Sequence, residues 1–137
     1  MTKQYRVWDK VAEKMYYAGD CKFSIDLSGS LYDDSQTPPL NIDYRCVLME
    51  DTGLIDKTGK RIFKGDILKF TEIDEFSAFG AEETYVTEVK WIPDLSQWRV
   101  VFPSGRRTEL HCVLQVPYFY DQEVIGNIYQ HPELLQE

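Results

Sequence analysis

The residue types that most suggest chemistry gather in one stretch, TGLIDKTGKRIFKGDILKF, at residues 52–70. Gly53, and then Gly59 followed at once by Lys60, suggest a loop whose backbone amides cradle phosphate. Such a loop needs four residues between its first glycine and the Gly-Lys pair, then Ser or Thr to hold magnesium. Five residues intervene here, Arg61 follows the lysine, and no helical pattern opens after it. RIFKGDILKF has the β-prone composition of more strand. The stretch therefore reads as a hairpin, with Leu54-Ile55 and Ile62-Phe63 flanking a turn at 56–59. Gly59 supplies the left-handed conformation that closes such a turn without a Cβ clash. Lys64-Gly65-Asp66 makes a second bend. Lys57, Lys60, Arg61 and Lys64 collect positive charge on an otherwise acidic chain, a pattern that protects strand edges from pairing. Lys60, Arg61 and Lys64, together with Arg106 and Arg107, are the candidates for contact with a partner.

Other catalytic patterns are weaker. Only two histidines occur; His131 stands beside Pro132 near the end, and His111 precedes Cys112. If that pair lies on a strand, its side chains point to opposite faces, which is poor geometry for a thiol–imidazole couple. There is no Gly-x-Ser-x-Gly elbow and no His-Glu-x-x-His pair. Asp33-Asp34 and Glu82-Glu83 are paired acids, but adjacency in a polar segment does not aim two carboxylates at one substrate. The expectation is a chain with no catalytic residues, metal or cofactor. Trp91, Trp98, Phe102, Tyr118, Phe119 and Tyr120 could form a platform for stacking bases, with Lys90, Arg99, Arg106 and Arg107 beside them. In a small strand-rich protein such aromatics are expected chiefly to fill the core.

The bulk composition supports that restraint. The 137 residues carry a formal net charge of −8, with acids clustered at Glu50-Asp51, at 72–75 and at Glu82-Glu83. A protein built to grip a phosphate backbone presents a basic face instead. Cys21, Cys46 and Cys112 lie far apart and are odd in number, so reduced thiols are expected rather than a disulfide framework. The opening residues contain no apolar signal core, and no apolar run approaches membrane-spanning length. Both features point to the cytoplasm.

The elements that must position these residues are short strands. YRVWDKVAEKMYY reads as strands at 5–8 and 14–18, and Phe23, Ile25 and Leu27 alternate with polar neighbours before a turn at Ser28-Gly29. Pro38-Pro39 makes SQTPPLN a loop or sheet edge, and a sub-boundary is expected near 35–48. A strand follows at 44–50. Residues 71–84 lack periodicity and read as a long acidic surface loop. Residues 85–92 and 98–102 form the clearest hairpin, across PDLS. A last strand is expected at 123–129, then one helical turn opened by Pro132. The fold class is α+β, predominantly β, with a small barrel and few short helices.

Three blocks carry a family resemblance: YRVWDKVAEKMYY, DTGLIDKTGKRIFKGDILKF and EVIGNIYQHPELL. In that order they resemble the YopX family of small bacteriophage and prophage proteins. The resemblance implies a single YopX-like domain over residues 1–137, with a β-rich N-terminal portion and an SH3-like barrel in the later part. It carries no catalytic residues with it. It does carry the motif residues Arg6, Trp8 and Asp9, Gly53, Gly59, Gly65 and Asp66, and Gly126, Asn127, Tyr129 and Pro132, all expected to be structural. The functional expectation is a cytoplasmic phage accessory protein in a bacterial host, non-enzymatic, binding protein or assembling with itself into a homo-oligomer. The alternative is a nucleic-acid-associated protein, either a weak binder or an acidic decoy; no membrane role is expected.

Overall fold

The computed structural model describes residues 4–17, 23–74, 77 and 79–135. Its strands are β1 (Tyr5–Asp9), β2 (Lys14–Tyr17), β3 (Phe23–Ile25), β4 (Leu31–Asp33), β5 (Leu40–Asn41), β6 (Cys46–Ile55), β7 (Arg61–Phe63), β8 (Asp66–Ile73), β9 (Glu82–Ile92), β10 (Gln97–Val101), β11 (Arg107–Glu109) and β12 (Phe119–Asn127). One short helix, α1 (Leu110–Gln115), and two 3-10 turns, Pro93–Leu95 and Pro132–Leu135, complete them. The protein is predominantly β, with antiparallel strand pairing throughout the registers described.

The chain divides into two compact units, Met1–Asp51 and Thr52–Glu137. The division falls inside β6. In the first unit β1 pairs with β2 on one side and with the first half of β6 on the other. A separate three-stranded sheet runs β3-β4-β5. Val7, Leu31, Ile42 and Cys46 form the core of this unit. Leu27 is fully exposed in the turn between β3 and β4, not in the alternating strand that its spacing suggests. Asp26 takes over that segment, accepting the Ser28 and Ser30 amides and the Ser28 hydroxyl on Oδ1. The expected strand end at Ala18, and Cys21, lie outside the described residues.

In the second unit five strands run in the order β11-β10-β9-β8-β12. Leu68 and Phe70 on β8, Val89 on β9 and Val100 on β10 alternate onto one face and are buried there with Phe102, Val113 and Phe119. The Phe70 ring meets Phe102 and Phe119 edge-on at 5.7 and 5.5 Å. Each such pair adds about 0.5–1.5 kcal/mol beyond its area. The aromatics therefore divide: Phe102 and Phe119 lie in the core, whereas Trp91 is 40% exposed where the β9–β10 hairpin runs past it. There Trp91 meets Trp98 edge-on at 5.1 Å.

Three sequence expectations change. Residues 71–84 are not one long loop: β8 continues to Ile73 and β9 begins at Glu82, with Thr71 opposite Thr84 and Glu72 opposite Glu83. Ladder hydrogen bonds are made by backbone, so acids at a solvent-facing sheet end pair as well as apolar residues do. His111 and Cys112 lie in α1, not on a strand; neighbours on a helix also point apart. Finally, β12 starts at Phe119, before the expected 123, and carries irregularities between Tyr120 and Glu123 and between Val124 and Gly126. Those offsets hide the period-two pattern from which a strand is read.

Candidate partner-binding site

Most buried acids turn out to be pins for backbone. Asp56 is 4% exposed. Its Oδ1 accepts the Thr58 hydroxyl at 2.7 Å and the Thr58 and Lys60 amides at 2.9 Å, which builds the hairpin turn. Its Oδ2 accepts the Val124 amide at 2.9 Å, across 68 residues of sequence. The turn is fixed to the irregular part of β12 a second time, by the Lys57 amide donating to the Gln122 carbonyl. Burial opposes the Asp56 charge, but the Val124 amide, the Thr58 hydroxyl and the Lys60 amide outweigh it and hold the carboxyl below its ordinary value. Gly59 sits in this turn at φ +90°, so a side chain there would be strained whatever the space around it.

The same device recurs. Asp66, wholly buried after the Lys64-Gly65 bend, accepts the Phe63 amide at 2.7 Å. Asp51 accepts the Gln4 amide at 2.9 Å. Asp9 accepts the Val11 and Ala12 amides and both Nε and Nη2 of Arg45. Burial raises the Asp9 carboxyl, yet the Ala12 amide and Arg45 together bring it below its usual value. At Asp9 and Asp56 the donors favour the ionised carboxylate as acceptor.

The C-terminal block has its own corner. Asn127 Oδ1 accepts the Tyr129 and Gln130 amides, and its Nδ2 donates to Gln130 Oε1. His131 Nδ1 accepts the Asn127 amide at 3.3 Å. A Cβ at Gly126 would lie 2.6 Å from that Nδ1 and 2.8 Å from the ring Cγ. Gly126 is there to let the imidazole approach. Pro132 opens the final 3-10 turn. Arg6 and Trp8 are buried on β1, Gly53 lies within β6, Gly65 is buried at the bend before β8, and Tyr129 lines a small cavity beside it.

That cavity, about 150 Å³, also borders Lys64, Glu88, Lys90 and Ile128. The Glu88 carboxylate is 20% exposed and its ammonium neighbour, Lys90 Nζ, is 3.9 Å away. Burial pushes the Glu88 carboxyl above its ordinary value, and Lys90 offsets only part of this. Tyr129 is raised by its own burial and by the Glu88 charge.

A second, wider cleft lies at the opposite end of the β8–β9 pair. It encloses about 560 Å³ between Glu72, Ile73, Asp74, Ala81, Glu82, Glu83, Tyr85 and Tyr118. Strand register creates it: Glu72 stands directly opposite Glu83, and like charges so placed repel. The hairpin closes with the Asp74 amide donating to the Ala81 carbonyl at 2.7 Å. The Tyr85 hydroxyl donates to Glu83 Oε2 at 2.9 Å. Burial, and then that hydrogen bond and the carboxylate charges around it, raise the Tyr85 phenol, so it stays protonated. At one rim the Arg106 guanidinium gives two hydrogen bonds to Glu72, at 3.1 and 2.9 Å, and lies 4.5 Å over the Phe102 ring.

The five basic residues singled out from sequence are therefore not one patch. Lys60 and Arg61 flank the Asp56 turn, Lys64 borders the small cavity, and Arg107 is exposed at the start of β11. Arg106 belongs to the acidic cleft. Sequence reasoning passed over Asp56, Asp51, Tyr85 and the Glu72–Glu83 register. For Asp56 a signal was present, since Asp at the first position of a glycine-closed turn caps it. For the register there was none. Among the described residues no group of three or more His, Cys, Asp or Glu side chains is placed to hold a metal. No described helix is long and apolar enough to cross a membrane. Cys46 and Cys112 are free thiols.

A two-unit β protein with acid-pinned turns and an acidic, tyrosine-walled cleft is thus defined. A family model described as YopX protein matches residues 4–136, and the chain belongs to the YopX family. Among solved structures it is similar to protein yopX from Bacillus subtilis, with 29% identity, TM-score 0.63, and coverage of 99% of this chain and 100% of that one. It is also similar in fold to protein EF1440 from Enterococcus faecalis, at 22% identity and TM-score 0.54, covering 99% of each chain. No curated protein matches it.

Proposed function

We propose that this chain is a non-enzymatic accessory protein of phage or prophage, acting in the cytoplasm of a bacterial host by binding another protein. The observation that carries this reading is the acidic cleft. Four carboxylates and two phenols line about 560 Å³, and the guanidinium of Arg106 binds one of the four, Glu72. Such a surface attracts a basic protein segment and repels a phosphate backbone. The absence of catalysis is supported by the buried acids, whose oxygens are taken up by turn amides. The five-stranded order of the second unit, with the bends that β12 introduces, supports an SH3-like barrel as the scaffold.

The test is capture of partners on the tagged full chain from extracts of phage-carrying host cells, with and without nuclease, read by mass spectrometry. A defined protein retained after nuclease treatment, and released as salt rises, is expected. Retention of nucleic acid alone favours the nucleic-acid alternative, and retention of nothing overturns the reading.

A further inference from the structure

We infer that residues 128–135 form a strap over β9, which closes on Glu88 when its carboxyl is protonated and lifts locally when it is ionised. The strap starts beside the cavity of about 150 Å³, which Ile128 and Tyr129 border together with residues 88–91 of β9. It ends beside a cavity of about 410 Å³, which Leu134 and Leu135 border together with residues 83–86 of the same strand and Phe102. The final 3-10 turn packs on β9. Val89 belongs to the core, so Glu88 and Lys90 project from the other face of that strand.

Glu88 has little to hold its charge. Its neighbours across the two ladders are apolar, Ile67 on β8 and Val101 on β10. Lys64 on the bend and Tyr129 on the strap border the same cavity. Lys90 Nζ, on its own strand, stands 3.9 Å away, beyond hydrogen-bond reach. Arg99 lies opposite Lys90 and is taken up by Gln97, and Glu133 on the strap is exposed. Among the described residues the Glu88 carboxylate accepts no hydrogen bond. The contrast with Asp56 is direct: donors there outweigh burial, whereas at Glu88 burial wins and raises the carboxyl. An ionised carboxylate without donors is costly to cover, and a neutral one much less so. The closed strap is therefore favoured at low pH, and closure weakens as pH rises from the ordinary carboxylate value through the raised one.

The strap is built to yield as a piece. Asn127 holds the Tyr129 and Gln130 amides, His131 Nδ1 accepts the Asn127 amide, and the Leu134 amide donates to the His131 carbonyl. These bonds are internal to the strap and its corner. The Ile128 amide instead donates to the Gly65 carbonyl, at 2.9 Å, and ties the strap to the bend before β8. Lifting breaks that bond and lets water reach Glu88.

The experiment is amide hydrogen exchange on the full chain, corrected for intrinsic rates, in wild type, Glu88→Gln, Lys90→Ala and the double variant. In wild type at about pH 7.5 the Ile128 amide should exchange about tenfold faster than the ladder amides of β8 and β9, through a local opening. Glu88→Gln should slow it several-fold there, and the difference should narrow as pH falls to about 5. Lys90→Ala should speed it in wild type and change nothing in the Glu88→Gln background. His131 is the same in every protein, so the comparison isolates Glu88 from the imidazole. Ile128 exchanging no faster than the ladder amides means that the strap does not lift by itself, and overturns the inference. An Ile128 rate that Glu88→Gln leaves equal or faster, or slows by the same factor at every pH, also overturns it.

Discussion

Replacing Asp56 by Asn tests whether the family's central block is held by a buried acid. Asp56 accepts four hydrogen bonds, three at Oδ1 and one at Oδ2. Asparagine keeps the three at Oδ1 but turns an NH₂ toward the Val124 amide. A hydrogen bond to a charged acceptor is worth about 1.5–3 kcal/mol, and an unsatisfied buried N–H costs about 1–3 kcal/mol. These overlap, because the first already includes part of the second, so the expected loss is about 2–4 kcal/mol. The assay is urea unfolding followed by tryptophan fluorescence, in which Trp91 and Trp98 report on the second unit. With an m-value of about 2 kcal/mol/M, the midpoint should fall by about 1–2 M. Hydrogen exchange adds a local readout, in which the Val124 amide should lose protection more than its neighbours on β12. The pH dependence fixes the sign. The folded carboxyl lies below its unfolded value of about 3.9, so Asp56 contributes stability above that pH, and the contribution is lost as pH falls through the folded value. Asp56→Asn should therefore flatten the acid limb of the stability profile below about pH 4. A midpoint within error of wild type, with Val124 protection retained, would refute the assignment of Asp56 as the pin between turn and β12.

Gly126→Ala places a methyl 2.6 Å from His131 Nδ1 and should cost about 1–3 kcal/mol by overpacking. His131→Ala in the same chain should recover most of that loss, and a double-mutant cycle by denaturant unfolding measures the coupling. Glu88→Gln should stabilise the protein at neutral pH. The folded Glu88 carboxyl lies above its ordinary value, so stability falls as pH rises from that ordinary value through the folded one. Thermal unfolding across that window should show the decline in wild type and its absence in the variant; parallel profiles would dismiss burial of this charge.

Much of the strand content was legible from alternation, because a strand with one covered face writes period two into its sequence. Residues 85–92 and 98–102 show it plainly, and β9 and β10 pair there, with Trp91 opposite Trp98. The Asp56–Gly59 turn was equally legible, since a left-handed closing residue demands glycine. Elements that depend on partners were not. Thr71, Glu72 and Ile73 belong to a strand because Thr84, Glu83 and Glu82 lie across from them, and the three glutamates among these six residues are of a type depleted in strands. Six residues of α1 have no stable helix of their own; they are helical where Leu110 and Val113 reach the core.

What the sequence determined by itself is the family, the β-rich class, the glycine-closed hairpin and the absence of a phosphate loop, all consequences of local spacing and stereochemistry. What only the tertiary structure decided is the destination of the charges. Asp56 meets Val124 over 68 residues, and Arg106 meets Glu72 over 34. Such pairings are set by register and sheet order, which no local pattern encodes. The result is that acids indistinguishable on the page become structural pins at 9, 51, 56 and 66, and the wall of a cleft at 72, 74, 82 and 83.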